Sequence, residues 1–215
     1  LVASDIQEVI MGNCLMAGVG QAPARQASIG AGLPLSTGCT TISKMCGSGM
    51  KASMLAHDLI IAGSNNIMVA GGMESMTNAP YLLPKARGGM RLGHQQVIDH
   101  MFLDGLEDAY DKGRLMGTFA EDCAGKYEFT RAAQDEFAIA SLTRALKATH
   151  DGSFAKEIAS IATKAGKQDV TIAEDGQPVA ATPEKIPTLN PAFRKDGTVT
   201  PANSSSISDG AAALV

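Results

Sequence analysis

Cys46 stands between an apolar run and the turn Gly47-Ser48-Gly49, and a helix-like pattern follows at once. That order places a thiol at the positive end of a helix with little side-chain bulk around it. The partial positive charge of unpaired backbone N–H groups favours an anionic sulfur there. Small neighbours also let an acyl group approach. The segment reads as a nucleophile elbow for acyl transfer, with Cys in the place usually held by Ser. The competing reading is a plain core residue, since free cysteine is among the most buried residue types. Gly47, Ser48 and Gly49 weigh against it, because glycine in a first helical turn costs entropy and adds no packing. From local pattern alone, both readings stand.

The elements that must hold this thiol can be read around it. Residues 5–11 form a half-apolar run ending at Gly12, which predicts a strand. Pro23 opens a short helical stretch over 24–30, as proline suits the first helical position. Residues 37–45 lead into Cys46, with Thr40, Thr41 and Ile42 favouring a strand. Met50, Met54, Leu55, Leu59 and Ile60 repeat at helical spacing over 48–62, and Gly63 stops them. Residues 67–70 are a short buried-strand pattern running into Gly71-Gly72. Strand, helix and strand in close succession imply a parallel α/β sheet.

The texture changes after Met73. Residues 77–96 carry Pro80, Pro84, Gly88, Gly89 and Gly93 among Lys85, Arg87 and Arg91, which reads as an excursion from the sheet. Two helices are then expected. One covers 95–111, with Val97, Ile98, Met101, Phe102 and Leu106 on one face. The second runs from an N-cap at Thr130 to a stop at Asp151-Gly152, with Phe137, Ala138, Ser141, Leu142 and Ala145 inward. Residues 165–203 read as mostly loop, and Asp209-Gly210 as a turn back into an apolar run.

Composition narrows the function classes. The chain has 215 residues, 45% hydrophobic and 19% charged, enough for one or two domains with a real core. A net charge of −4 gives no footprint for nucleic acid. No apolar run approaches the roughly 18 residues of a membrane span, and no secretory leader is visible. The four cysteines, Cys14, Cys39, Cys46 and Cys123, lack C-x-x-C spacing, so no metal site is expected. They are expected to stay reduced. Both ends look cut: the chain begins at Leu1-Val2 without Met and stops inside an apolar run. The expectation is a piece of a longer protein.

The residues 43–52, Ser-Lys-Met-Cys-Gly-Ser-Gly-Met-Lys-Ala, resemble the active-site segment of thiolases. Other stretches agree in order: Gly20-Gln-Ala-Pro-Ala-Arg-Gln-Ala, Ala70-Gly-Gly-Met-Glu-Ser-Met, Met116-Gly-Thr-Phe-Ala-Glu and Asp196-Gly-Thr-Val-Thr. Asn203 with Ser208-Asp-Gly-Ala-Ala-Ala completes the set. The resemblance covers essentially the whole chain, and the insertion looks most like that of acetoacetyl-CoA thiolases. It implies the layered α/β/α/β/α thiolase fold, here a partial first half with an inserted loop domain. Residues 1–76 and 208–215 would belong to the core and 77–207 to the loop domain, which holds CoA and makes oligomer contacts in the family.

The chemistry implied is a Claisen condensation of two acetyl-CoA to acetoacetyl-CoA, and the reverse thiolysis, through an acyl-cysteine. Cys46 matches the nucleophile. Ser205 matches a serine on the pantetheine arm, Met116 a methionine walling the acyl pocket, Leu106 a leucine near CoA, and Phe193 a phenylalanine beside the adenine end. Leu115 stands where many members have His. The activating His and a second Cys belong to the family's second half, and no G-H-P segment occurs here. His57 is too far along its helix to serve Cys46 as base. His94, His100 and His150 read as solvated or interface groups. Glu74 reads as structural, and Cys14, Cys39 and Cys123 as plain small residues. The resemblance further implies no cofactor beyond the CoA thioester substrate, no nucleic-acid or membrane partner, and a cytoplasmic homotetramer. The rivals are a 3-ketoacyl-CoA thiolase of fatty-acid breakdown and a non-catalytic CoA-binding module.

Overall fold

The computed structural model describes residues 1–215. β1 (Glu8–Gly12) is the centre of the core. Its alternating side chains serve opposite faces, as strand geometry requires. Ile10 meets Ala52, Ala56, Met68 and Ala70 on one face, while Val9 and Met11 meet Ile6 and Ala24 on the other. The first face carries α2 (Ser48–Ile61) and the second α1 (Pro23–Gly30). β1 pairs in parallel with β2 (Gly38–Ile42) and β3 (Met68–Ser75), the parallel arrangement expected from the sequence. β8 (Asp209–Leu214) then pairs antiparallel with β3, giving the order β2-β1-β3-β8.

The face that α2 buries consists of Ser48, Ala52 and Ala56. Met50 and Met54, two of the residues that made the helix legible, point to solvent instead. Small side chains let α2 lie close on the sheet. β3 also runs on through Gly71-Gly72, where the sequence suggested a stop. A Cβ on Gly71 would come 2.0 Å from the Ala212 carbonyl oxygen of β8, so only glycine admits this pairing.

Two expectations fail between residues 95 and 130. The helix over 95–111 does not form. β4 (Tyr81–Leu82) and β5 (Ile98–Asp99) make a two-residue ladder, followed by a single π-helical turn at Phe102–Leu106. The Asp99 carboxylate accepts from Met101 N at 2.9 Å, which ends the strand and opens the wide turn. A helix missing from the sequence reading, α3 (Met116–Lys126), follows instead.

α4 (Arg131–His150) begins as expected at Thr130, whose hydroxyl accepts from Ala133 N. Its inward face is Asp135, Ala138, Leu142 and Ala145. Phe137 is 76% exposed and Ser141 is exposed, so the expected stripe was rotated at those two positions. Arg131 pairs with Asp135 at 2.7 Å and also donates to the Leu189 carbonyl, tying α4 to the 3-10 segment Pro183–Thr188. Within the stretch read as loop, β6 (Ile161–Ala165) and β7 (Gln168–Ile172) form a hairpin, and α5 (Gly176–Ala180) is a single short turn. The chain divides into two compact units, Leu1–Arg114 with Ile207–Val215, and Leu115–Ser206. The sequence reading drew its first break after Met76; here residues 77–114 group with the first unit.

Candidate active site

The three parallel strands deliver their C-terminal ends to one place. Gly12 of β1 lies in register with Ile42 of β2 and Gly72 of β3. The chain leaving β2 turns there through Lys44–Gly47 and enters α2. The turn is strained: Met45 holds φ +50°, the left-handed region a non-glycine residue rarely adopts. Cys46 follows directly and is exposed, which removes the reading of a buried core residue.

Ser48 holds the turn. Its buried hydroxyl accepts from Lys44 N at 2.8 Å and donates to the Met45 carbonyl at 2.5 Å. It also lies 3.5 Å from the Cys14 sulfur. The N-cap position is Gly47, and no side chain caps the helix. The first turn of α2 sits against glycine backbone. A Cβ on Gly12 would fall 2.5 Å from the Ser48 carbonyl carbon, and one on Gly72 would fall 3.3 Å from Gly49 Cα. The small residues around Cys46 therefore bring the helix end down onto the strand ends, a packing role that local pattern alone did not reveal.

A cleft of about 460 Å³ opens at this point. Cys46, Met45 and Gly49 line it together with Cys14, Leu15, Leu106 and Gly210–212 of the returning strand. Its lining is mostly apolar, as small-molecule sites usually are. Glu74 also reaches it, but the carboxylate is occupied: it accepts from Asn13 Nδ2 at 2.7 Å, Leu15 N at 2.9 Å and Cys14 N at 2.9 Å. Glu74 thus fixes the loop after β1, consistent with a structural part.

Of the residues singled out by resemblance, Cys46 and Leu106 line this cleft in the first unit. The others lie in the second unit. Met116 opens α3, and the Phe193 ring packs on the next residue: a Cβ on Gly117 would lie 2.3 Å from it. Ser205 is exposed. Asn203, one of the motif residues, shapes its own loop by accepting from Thr200 N at 2.7 Å and donating to the Thr198 carbonyl at 3.0 Å.

Two placements add to the sequence reading. Cys14 lines the cleft, which its position just after a strand ending in Gly12 could have signalled. His100, read as a solvated or interface group, is 5% exposed. His57 is exposed beside Asp58, as expected of a helix-surface residue.

Three kinds of comparison agree with this geometry. The family described as thiolase, N-terminal domain, matches residues 1–215. The chain is 46% identical over 214 residues to acetyl-CoA acetyltransferase of Schizosaccharomyces pombe, covering 99% of this chain and 54% of that one. It is 46% identical over 213 residues to the mitochondrial acetyl-CoA acetyltransferase of Mus musculus, covering 98% and 50%. A thiolase from Ascaris suum, solved in complex with coenzyme A, superimposes with a TM-score of 0.88 at 43% identity, covering 99% of this chain and 54% of that one. The chain spans about half the length of the curated relatives it matches. With the parallel strand ends, the elbow and the whole-length match, this chain belongs to the thiolase family, as its N-terminal domain.

Proposed function

We propose that the protein carrying this chain is an acetyl-CoA C-acetyltransferase, condensing two acetyl-CoA to acetoacetyl-CoA and reversing that reaction by thiolysis. The observation that carries the reading is Cys46, an exposed thiol on a strained turn ahead of an uncapped helix, opening into an apolar cleft. The Cys46 sulfur attacks the thioester carbonyl of the first acetyl-CoA. The C–S bond to CoA breaks, and CoA leaves as the thiol after taking a proton. Negative charge develops on the carbonyl oxygen during attack, where backbone N–H groups at the helix start suit it. The second acetyl-CoA loses a methyl proton, and its carbon attacks the acetyl-cysteine. Acetoacetyl-CoA departs and the thiolate returns. The proton transfers fall to the His and second Cys that the resemblance assigns to the family's second half.

Leu106, Met116, Phe193 and Ser205 are proposed CoA contacts, and no cofactor is needed beyond the thioester substrate. The names of the relatives support acetyl-CoA as that substrate. A cytoplasmic homotetramer is the form implied by resemblance. A mitochondrial relative makes that organelle the alternative, which cell fractionation decides.

The test is intact mass after incubating the full-length protein with acetyl-CoA. One acetyl group should add to the wild type and none to Cys46→Ala. Acetylation that survives Cys46→Ala overturns the assignment. Comparing kcat/KM for acetoacetyl-CoA with longer 3-ketoacyl-CoA substrates separates the rival thiolase, and binding of CoA without any adduct supports the non-catalytic module.

A further inference from the structure

We propose that His100 is a positioning residue of the Cys46 cleft, joining residues 13–17 and the π turn at Phe102–Leu106 into one wall. Its imidazole is buried, with both ring nitrogens engaged. Nε2 accepts from Ala17 N at 3.3 Å. Nδ1 therefore carries the proton, and it donates to Asp104 Oδ2 at 2.7 Å. The backbone is fixed too, since His100 N donates to the Pro80 carbonyl at 3.2 Å. One ring thus spans two chain segments that meet in the cleft. Cys14 and Leu15 line it from one side, and Gly105 and Leu106 from the other. The segments also approach closely, so that a Cβ added at Gly105 would come 3.3 Å from Leu15 Cδ2. The glycine leaves room for the contact, and the histidine sets its register.

An apolar side chain would fill the same volume more cheaply, since a buried polar ring must find partners for both nitrogens. The ring has them, and the Ala17 N–H it accepts from lies in the segment that Glu74 also anchors at Cys14 N and Leu15 N. The π turn closes with Glu107 N donating to the Phe102 carbonyl at 2.8 Å. Such single wide turns occur often at functional sites. Here the turn presents Gly105 and Leu106 to the cleft while Asp104 holds the imidazole.

The kinetic consequence rests on the acyl-transfer reading; the mechanical link does not. The test therefore has two arms on the full-length protein. Amide hydrogen exchange over 13–17 and 102–106, without substrate, compares wild type, His100→Gln and His100→Leu. Glutamine keeps an acceptor toward Ala17 and a donor toward Asp104, while leucine keeps neither. His100→Leu should speed exchange at Ala17 about fivefold, the change for one ordinary hydrogen bond, and His100→Gln should stay near wild type. In the second arm, KM for acetyl-CoA should rise about fivefold in His100→Leu with kcat within about twofold, and glutamine should restore it. Unchanged exchange in His100→Leu, or glutamine behaving as leucine, overturns the proposal. So does a fall in kcat with KM unmoved. A wild type that takes no acetyl group defeats the acyl-transfer reading alone, and exchange still decides the link. If His100→Leu fails to fold, Asp104→Ala loosens the same ring and must shift exchange in the same direction.

Discussion

The two long helices begin in opposite ways. α4 starts on Thr130, whose hydroxyl seals one of its free N–H groups. α2 starts on Gly47, and no side chain seals anything. Every helix leaves its first N–H groups without partners inside the helix. α4 meets part of that need with a cap from its own sequence. The start of α2 draws its order from elsewhere: the Ser48 hydroxyl braced on Lys44 and Met45, and the glycine backbone of the strand ends. A helix end built only for stability is closed by its own residues. One that faces a cleft is held in place by packing and by the preceding turn, whose Lys44 and Met45 carbonyls accept from Gly47 N and Ser48 N, and it carries no side-chain cap.

The largest test of this contrast attacks the packing. Gly12→Ala drives a Cβ into the Ser48 backbone, which cannot yield as a flexible side chain would. It should cost about 3 kcal/mol, the upper end of overpacking effects. The rate of Cys46 alkylation by iodoacetamide should change with it, read by intact mass beside the melting temperature. Ser48→Ala and Thr130→Ala form the sharper, paired test. Ser48→Ala strands the Lys44 N–H and leaves the Met45 carbonyl only the Ser48 backbone N–H, and should cost about 2 kcal/mol, with altered Cys46 alkylation. Thr130→Ala should cost about 1 kcal/mol and leave alkylation untouched. If both variants change Cys46 equally, the contrast between the two helix starts is wrong.

The smallest effect lies at the far end of α4. Lys147 donates to the Asp151 carboxylate at 2.5 Å, and Ser153 adds its hydroxyl and amide. Together they hold the Asp151 carboxyl down to about 2, from an ordinary 3.8. The folded value is the depressed one, so the contribution is present above the ordinary carboxylate range and is lost as pH falls through about 2. The Ser153 amide resonance should titrate with that midpoint, and Asp151→Asn should abolish the step.

Much of the first unit was legible because its signals are local and repeated. Pro23 opened α1, Gly63 followed α2, and the run before Gly12 became β1. The elbow was legible because a thiol ahead of three small residues and a helical pattern is a local signal, although those small residues also bring α2 down onto the strand ends. Failures came where a side-chain capture of the backbone or a distant group decided the outcome. Val97, Ile98, Met101, Phe102 and Leu106 do recur at helical spacing, yet the Asp99 side chain captures Met101 N and diverts the chain. α3 was hidden by Gly117 and Gly125, poor helix formers. Gly117 is there because the Phe193 ring, far along the sequence, occupies the space of its side chain. The burial of His100 was not legible because nothing near it in sequence announces Ala17 as a partner.

β8 carries one more consequence, in the order of events during synthesis. Its residues Gly210, Ala211 and Ala212 line the cleft, yet their partners on β3 emerge before the whole of the second unit. At ribosomal speeds, β3 waits on the order of ten seconds with one edge bare. A strand made only after the second unit is thus a wall of the cleft, and a nascent chain closes this side of it only when that strand arrives.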